Sequence, residues 1–202
     1  MTSWDKYADK AGEWSDAQYA DTRAYLAHRA AVIRSLGPVL RPGDTVLDLA
    51  CGDGALGDFL PEQRYLGVDA SEQMVAAGRA RGRELVLADL NEYLPPAPVQ
   101  ATTIFRAIYY ARDRRALLEQ IAGYTERKLV FDLNPRQYAL EEIRDDLGAA
   151  GFDRVETRPF FVPQTRAVSG LRLLERSGPL ARLLLRFRFT LLVAASRRAA
   201  AS

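Results

Sequence analysis

The chain has 202 residues, 48% of them hydrophobic, and a formal net charge of +2; that is one domain of ordinary size with a full core. No stretch nears the ~18–20 uncharged apolar residues of a membrane span. The single cysteine, Cys51, excludes an internal disulfide and a multi-cysteine metal site, and the single histidine, His28, excludes a histidine-rich metal site and counts against a Ser-His-Asp hydrolase.

The N-terminal "MTSWDKYADKAGEW" is charged and aromatic and lacks the apolar run of a signal peptide, so a cytoplasmic protein is expected. Residues 1–37 read as helical, with aromatics at Trp4, Tyr7, Trp14, Tyr19 and Tyr25; "YLAHRAAVIRSLG" has helix-period apolar residues and ends on a glycine. "LRPGD" then turns the chain. β-type runs follow at 45–50, 64–69, 84–89, 102–107, 128–133, 154–162 and 188–196, and helices are predicted over 54–60, 71–81, 113–124 and 136–150. Repeated alternation of strand and helix predicts a parallel sheet covered on both faces. The tail "SRRAAAS" is expected to fray. Charge is uneven: from Pro159 onward there are eight arginines and one acid, Glu175.

The first β-run leads into "VLDLACGDGALGDFL", which holds Gly-x-Gly-x-x-Gly at Gly52, Gly54 and Gly57. A nucleoside triphosphate loop needs a lysine followed by Ser/Thr, and neither is present. A dinucleotide would place two negative charges at a helix N-terminus, where Asp48 would repel them. Cys51 and Asp53 add bulk and a second charge where a pyrophosphate needs close backbone approach. S-adenosylmethionine reverses the signs, because it has no phosphate, carries a sulfonium and ends in an ammonium and a carboxylate. Asp48 suits that ammonium. Asp69, at the end of the next strand, can accept both ribose hydroxyls, which fits either cofactor; Asp48 makes the choice.

On these residues the sequence resembles class I S-adenosylmethionine-dependent methyltransferases. "VLDLACGDG" matches the family's first motif, "YLGVDASEQMV" is similar to its second, and "VLADLNEYLP" to its third; "TTIFRAIYYARD" takes the fourth-strand position. The resemblance covers about residues 40–135. It implies an α/β, Rossmann-like three-layer sandwich with a seven-stranded sheet of order 3-2-1-4-5-7-6, strand 7 antiparallel. It further implies a cofactor, S-adenosyl-L-methionine, released as S-adenosyl-L-homocysteine, held by Asp48, Ala50, Cys51, Gly52, Gly54, Asp69, Ala70 and Met74, with Asp89 and Leu90 flanking the adenine. Cys51 is expected to pack under the loop, and Ser71 to cap the second helix.

Tyr109 and Tyr110 follow the fourth strand, where substrate-facing groups sit in this family; one should face the pocket and the other the core. Arg106 is a charge inside an apolar run, either at the strand mouth beside the cofactor or as an anchor for an anionic substrate. Tyr7, Trp14 and Tyr19 are candidates for an N-terminal lid over the cofactor, within residues 1–37. If the acceptor is a hydroxyl, a base is required, and Tyr109, Tyr110 and His28 are the candidates; His28 reads otherwise as a surface residue. Asn134-Pro135 reads as a helix start, not as the Asn/Asp-Pro-Pro-aromatic motif of nucleic-acid amino methylases.

The segment "PQTRAVSGLRLLERSGPLARLLLRFR" (163–188) has leucines on one side and arginines on the other, split at Ser177-Gly178-Pro179. It is expected as a helical insertion (163–187) between strands 6 and 7 of one domain spanning 1–202. Three roles compete for it: a lid for a hydrophobic or anionic small molecule, a peripheral membrane surface, and a partner interface. The main expectation is methyl transfer to a small-molecule acceptor by in-line displacement, without a metal. The alternatives are a non-catalytic cofactor-binding protein and a nicotinamide oxidoreductase; nucleic acid ranks low as a partner, and the oligomeric state is left open.

Overall fold

The computed structural model describes residues 21–161 and 189–197. Its first helix, α1 (Thr22–Ser35), begins where the Asp21 carboxylate accepts the Ala24 N–H at 2.9 Å, which satisfies one of the donors a helix start leaves orphaned. It ends at Leu36, and Gly37 (φ +70°) turns the chain in contact with the sheet; a Cβ there would lie 3.2 Å from that of Ala194.

Seven strands follow: β1 (Thr45–Leu49), β2 (Arg64–Asp69), β3 (Leu85–Leu87), β4 (Val99–Ile104), β5 (Thr125–Leu133), β6 (Arg154–Phe161) and β7 (Phe189–Ser196). They form one sheet in the order β3-β2-β1-β4-β5-β7-β6. Pairing is parallel from β3 through β5, and β7 is antiparallel to both its neighbours. This is the sheet that the family resemblance implies. Helices α2 (Glu72–Ala80), α3 (Arg114–Tyr124) and α4 (Leu140–Ala149) complete the described elements.

The central strands are buried on both faces, which is why they read as near-continuous apolar runs. On one face Val46, Ala101, Val130, Leu192 and Ala194 pack with Tyr25, Leu26 and Ile33 of α1. On the other, Leu47, Leu49, Ile104 and Phe131 pack with Leu118 and Ile121 of α3 and Ile143 and Leu147 of α4. Each such valine, leucine, isoleucine or phenylalanine contributes about 1.5–3 kcal/mol. The α1 face also buries polar side chains, among them Asp48, Thr103 and Lys128. Lys128 donates to the carbonyls of Leu36 (2.7 Å) and Arg34 (3.3 Å) at the end of α1. Burial pulls its ammonium down to about 8, opposed by Glu156 and Asp44.

Four local expectations change. The helix expected over 54–60 is a five-residue 3-10 turn, Ala55–Phe59, because the chain must already reach β2 at Arg64. The third strand is only Leu85–Leu87, and Arg79 donates to its outward Leu85 carbonyl from two nitrogens, at 3.0 and 2.8 Å, which covers the sheet edge. The fourth strand is Val99–Ile104, so Arg106 lies beyond its end and not inside it. Asn134-Pro135 does not start a helix: the Asn134 carboxamide accepts the Arg136 N–H, its carbonyl accepts from Gln137 and Tyr138, and the resulting turn delays α4 to Leu140. Arg114 sits over the Tyr138 ring at 5.3 Å and holds that turn against α3.

Candidate functional site

The strand order reverses between β1 and β4, and in an open α/β sheet the crevice beyond that reversal is where a ligand lies. Both strands leave the sheet through strained residues: Ala50 has φ +57° and Arg106 has φ +54°. Left-handed backbone costs a non-glycine residue about 1–2 kcal/mol, so the surroundings must hold both turns. At Arg106 the holder is Asp132 of β5, whose carboxylate accepts the Arg106 N–H.

The glycine loop is closed on itself. The Cys51 N–H donates to the Val68 carbonyl, Gly52 N–H to the Asp69 carboxylate (2.7 Å), Gly54 N–H to Cys51, Ala55 N–H to Asp53 and Gly57 N–H to Gly54. These five loop donors are therefore already engaged within the protein. Gly52 (φ +63°) and Gly54 (φ +74°) need the left-handed conformation. Gly57 serves packing instead: a Cβ there would lie 2.7 Å from the Tyr65 ring. Cys51 does pack under the loop, with its Sγ 2.7 Å from where a Cβ on Gly67 would be; burial, then Asp48, raises its thiol well above the usual value.

Asp69 ends β2 with one carboxylate oxygen on the Gly52 N–H and the other on the Ser71 N–H (2.9 Å). Burial raises its pKa against those two hydrogen bonds. Each oxygen keeps a lone pair, so the group can still accept a diol. Ser71 caps α2 by accepting the Met74 N–H. Asp89 follows β3; Asn91 and Arg112 (2.6 Å) engage its two oxygens. Burial pushes Asp89 up, but Asn91 and Arg112 outweigh it and hold the carboxyl below its ordinary value. Ala70 is half-buried beside Asp69, whereas Met74 and Leu90 are buried, at 3% and 4% exposure.

Asp48 is only 1% exposed. The Thr103 hydroxyl (2.6 Å) and the Tyr65 hydroxyl (2.8 Å) donate to its two oxygens, and an Arg29 nitrogen of α1 lies 3.5 Å away. Its charge is therefore partly compensated from within. Asp53 is turned away from the ligand side: it pairs with Arg81 (3.0 Å) and Arg83 (2.9 Å), which corrects the expectation that it charges the loop mouth. Five engaged loop donors and the buried Asp48 carboxylate both count against a phosphate here.

The three candidate bases do not come together. Tyr110 packs against the α3 face of the core, while Tyr109 is 45% exposed, their rings 4.4 Å apart. His28 is on the α1 side, half-buried and stacked on Phe160 at 4.9 Å, not on the surface as expected. Tyr7, Trp14, Tyr19 and the 163–187 insertion lie outside the described residues.

Sequence reasoning missed Arg29, Tyr65, Thr103 and Asp132. Two signals were available. Arg29 falls in the apolar stripe Tyr25, Leu26, Ala30, Ile33 of α1. Asp132 repeats the pattern of Asp48, since "VFDL" and "VLDL" each put an acid just before the end of a central strand. Burial raises the Asp132 pKa, against the Arg106 N–H and the nearby Arg29 charge.

Residues 46–128 match the family model of a methyltransferase domain. Over 46 residues the chain is 46% identical to a demethylmenaquinone methyltransferase of Symbiobacterium thermophilum, a match covering 20% of this chain. The chain's matches span only about a fifth of its curated relatives' length, 21% and 18%. Among solved structures, one is a methyltransferase in complex with the Trm112 methyltransferase activator of Haloferax volcanii: TM-score 0.67, 20% identity, covering 98% of both chains. Another is a methyltransferase from Geobacter sulfurreducens in complex with S-adenosyl-L-homocysteine: TM-score 0.62, 16% identity, covering 95% of this chain and 98% of that one.

Proposed function

We propose that this chain, which carries a methyltransferase domain over residues 46–128 on a class I fold, binds S-adenosyl-L-methionine and transfers its methyl group to a small acceptor. The observation that carries the cofactor reading is the closed glycine loop: its N–H groups are engaged by Val68, Asp69, Cys51, Asp53 and Gly54. A phosphate would find no free donor among them, whereas a ligand that meets the loop through glycine backbone and a carboxylate has no such need. In this reading Asp69 accepts the ribose hydroxyls and Asp89 lies toward the adenine. Ala50, Gly52 and Gly54 line the methionine end, and Asp48 supplies negative potential to its ammonium.

When bound, the sulfonium supplies an activated methyl and the displacement itself. The chain's residues bind, orient and keep water out; proximity and alignment account for most of the rate. Arg106, exposed beyond β4, supports an anionic acceptor, and exposed Tyr109 is the nearest candidate to take a proton from a hydroxyl acceptor.

Calorimetric titration with S-adenosyl-L-homocysteine and, separately, NADH tests the cofactor. Micromolar binding of the first alone is expected; binding of NADH alone overturns the reading. Turnover of labelled S-adenosyl-L-methionine over a panel of anionic and hydrophobic acceptors then separates an enzyme from a binding protein, which would bind without turnover.

A further inference from the structure

We infer that Asp132 is the general base of the transfer and that the methylated atom is the hydroxyl oxygen of an alcohol or phenol. This deepens the reading above and rests on it. Carboxylates stand at the carboxyl ends of the parallel strands: Asp48 on β1, Asp69 on β2, Asp89 after β3 and Asp132 on β5. The first three have both oxygens engaged: Asp48 by the Thr103 and Tyr65 hydroxyls, Asp69 by the Gly52 and Ser71 N–H groups, Asp89 by Asn91 and Arg112. Asp132 differs. The Arg106 N–H donates to its Oδ1, and among the described residues no other residue donates to Oδ2. The side chain is half-buried, and Oδ2 is not sealed from solvent. The register gives its place. Leu49 of β1 pairs with Ile104 of β4, and Ile104 with Phe131 of β5, so Asp132 stands level with Ala50, where the glycine loop begins. Two strand spacings, about 10 Å, separate the two backbones. Val130 packs on the α1 face, so Asp132, two residues on, shares that face with Asp48.

Asp69 and Asp89 draw the nucleoside toward β2 and β3, which leaves the β4–β5 side to the acceptor, and Asp132 stands there. An oxygen lone pair of the acceptor forms the O–C bond, and the C–S bond breaks with its electron pair left on sulfur. The sulfonium charge is thereby cancelled, and the acceptor proton passes to Asp132 Oδ2 and on to water. An oxygen that is gaining a methyl group becomes a far stronger acid than a carboxylic acid, so that transfer is downhill. An amine turned to ammonium is a weaker acid and would keep its proton, and a carboxylate acceptor would be repelled. Burial raises the Asp132 pKa, against the Arg106 N–H and the charges of Arg29 and Arg106, and a base is more effective as its pKa nears the working pH. Those two arginines, from α1 and from beyond β4, are the charges that face it; β7 sets the apolar Leu192 beside it. Tyr109, the other candidate, is a phenol and must surrender its own proton before it can accept one.

The test uses the full chain. Calorimetry with S-adenosyl-L-homocysteine comes first, and a protein that does not bind it defeats the cofactor reading itself. Labelled S-adenosyl-L-methionine is then offered with para-hydroxybenzoate, salicylate and mandelate as hydroxyl probes, para-aminomethylbenzoate as the amine and benzoate as the acid. At least one hydroxyl probe should be converted to its methyl ether. Asp132→Asn keeps an oxygen for the Arg106 N–H; its kcat should fall by about 100- to 10,000-fold, the range of general base catalysis, with KM and S-adenosyl-L-homocysteine affinity within about threefold of wild type. At saturating substrates the wild-type kcat should drop as pH falls through the Asp132 pKa, because the base must be ionised, and Asp132→Asn should lack that limb. A variant kcat within about threefold of wild type would reduce Asp132 to the holder of the Arg106 turn and overturn the inference. Methylation of the amine or acid probe alone, or of no probe by a protein that binds S-adenosyl-L-homocysteine, overturns it as well. Carboxyl-carbon NMR of the S-adenosyl-L-homocysteine complex reads the base without turnover, the Asp132 signal being the one lost in Asp132→Asn. That signal should titrate above an ordinary aspartate, and an ordinary titration overturns the inference. If Asp132→Asn does not fold, Asp132→Glu identifies the signal and the wild-type pH profile decides, a kcat flat into acid overturning the inference.

Discussion

Replacing Asp69 by alanine tests the site at its most exposed assumption. In the free protein the side chain joins the β1 loop to the start of α2, through Gly52 N–H at 2.7 Å and Ser71 N–H at 2.9 Å. Hydrogen bonds to a charged group are worth about 1.5–3 kcal/mol each, but Asp69 is half-buried and water can reach its partners once it is gone. Its raised pKa shows that burial already disfavours the charge. The two effects oppose, so the free variant should lose only about 1–2 kcal/mol. The sign with pH follows: an acid whose pKa is raised in the fold binds more protons folded than unfolded. Its contribution therefore grows as pH falls through the folded value and is constant below the unfolded one. Asp69→Ala should lose that dependence. Cofactor affinity should fall far more than stability, by about 100-fold or more, because two hydroxyl contacts to a carboxylate vanish together. Asp69→Asn, with one acceptor left, should lie between. Thermal melts and titration with S-adenosyl-L-homocysteine measure both. Affinity within about threefold of wild type would refute the ribose role; a loss of stability above about 4 kcal/mol would make Asp69 a structural residue first.

Three further outcomes follow from the geometry. Gly78→Ala should cost about 1–3 kcal/mol in urea unfolding, because its Cβ would sit 2.2 Å from Leu85 Cδ1 and 2.5 Å from the Asp53 carbonyl oxygen, and the backbone oxygen has no room to yield. Ala50→Gly removes a strained left-handed alanine at φ +57°; strain relief outweighs the added chain entropy, and unfolding free energy should rise by about 0.5 kcal/mol in urea titration. Lys128, with its ammonium held at about 8 in the fold against 10.5 unfolded, loses its burial penalty as pH rises, so wild-type stability should gain about 2 kcal/mol relative to Lys128→Met between pH 8 and 10; parallel curves for the two proteins would refute the buried, charged lysine.

The alternation of strand and helix determined the parallel part of the sheet, while the strand order and the antiparallel β7 came from the family resemblance. Apolar runs of strand length, separated by helix-period segments, fix a parallel arrangement because each strand must be covered on both faces. The motif around Asp48, Gly52 and Gly54, with Asp69 ending the next strand, marked the candidate site. Those are local or short-range properties. What tertiary structure decided is which donors and charges remain available there. Asp53 looked like a second loop charge, but Arg81 and Arg83, 28 and 30 residues on, draw it away. Asp48 looked like a bare carboxylate, but Thr103, 55 residues along, and Arg29, from a helix before the sheet, reach it in the fold. Asn134-Pro135 looked like a helix start, yet a turn held by Arg114 and Tyr138 displaced that start to Leu140. Residue type and spacing carry periodicity and backbone permission; only the packed sheet, which brings distant side chains within hydrogen-bond reach in a low-dielectric interior, sets which of them are already paired.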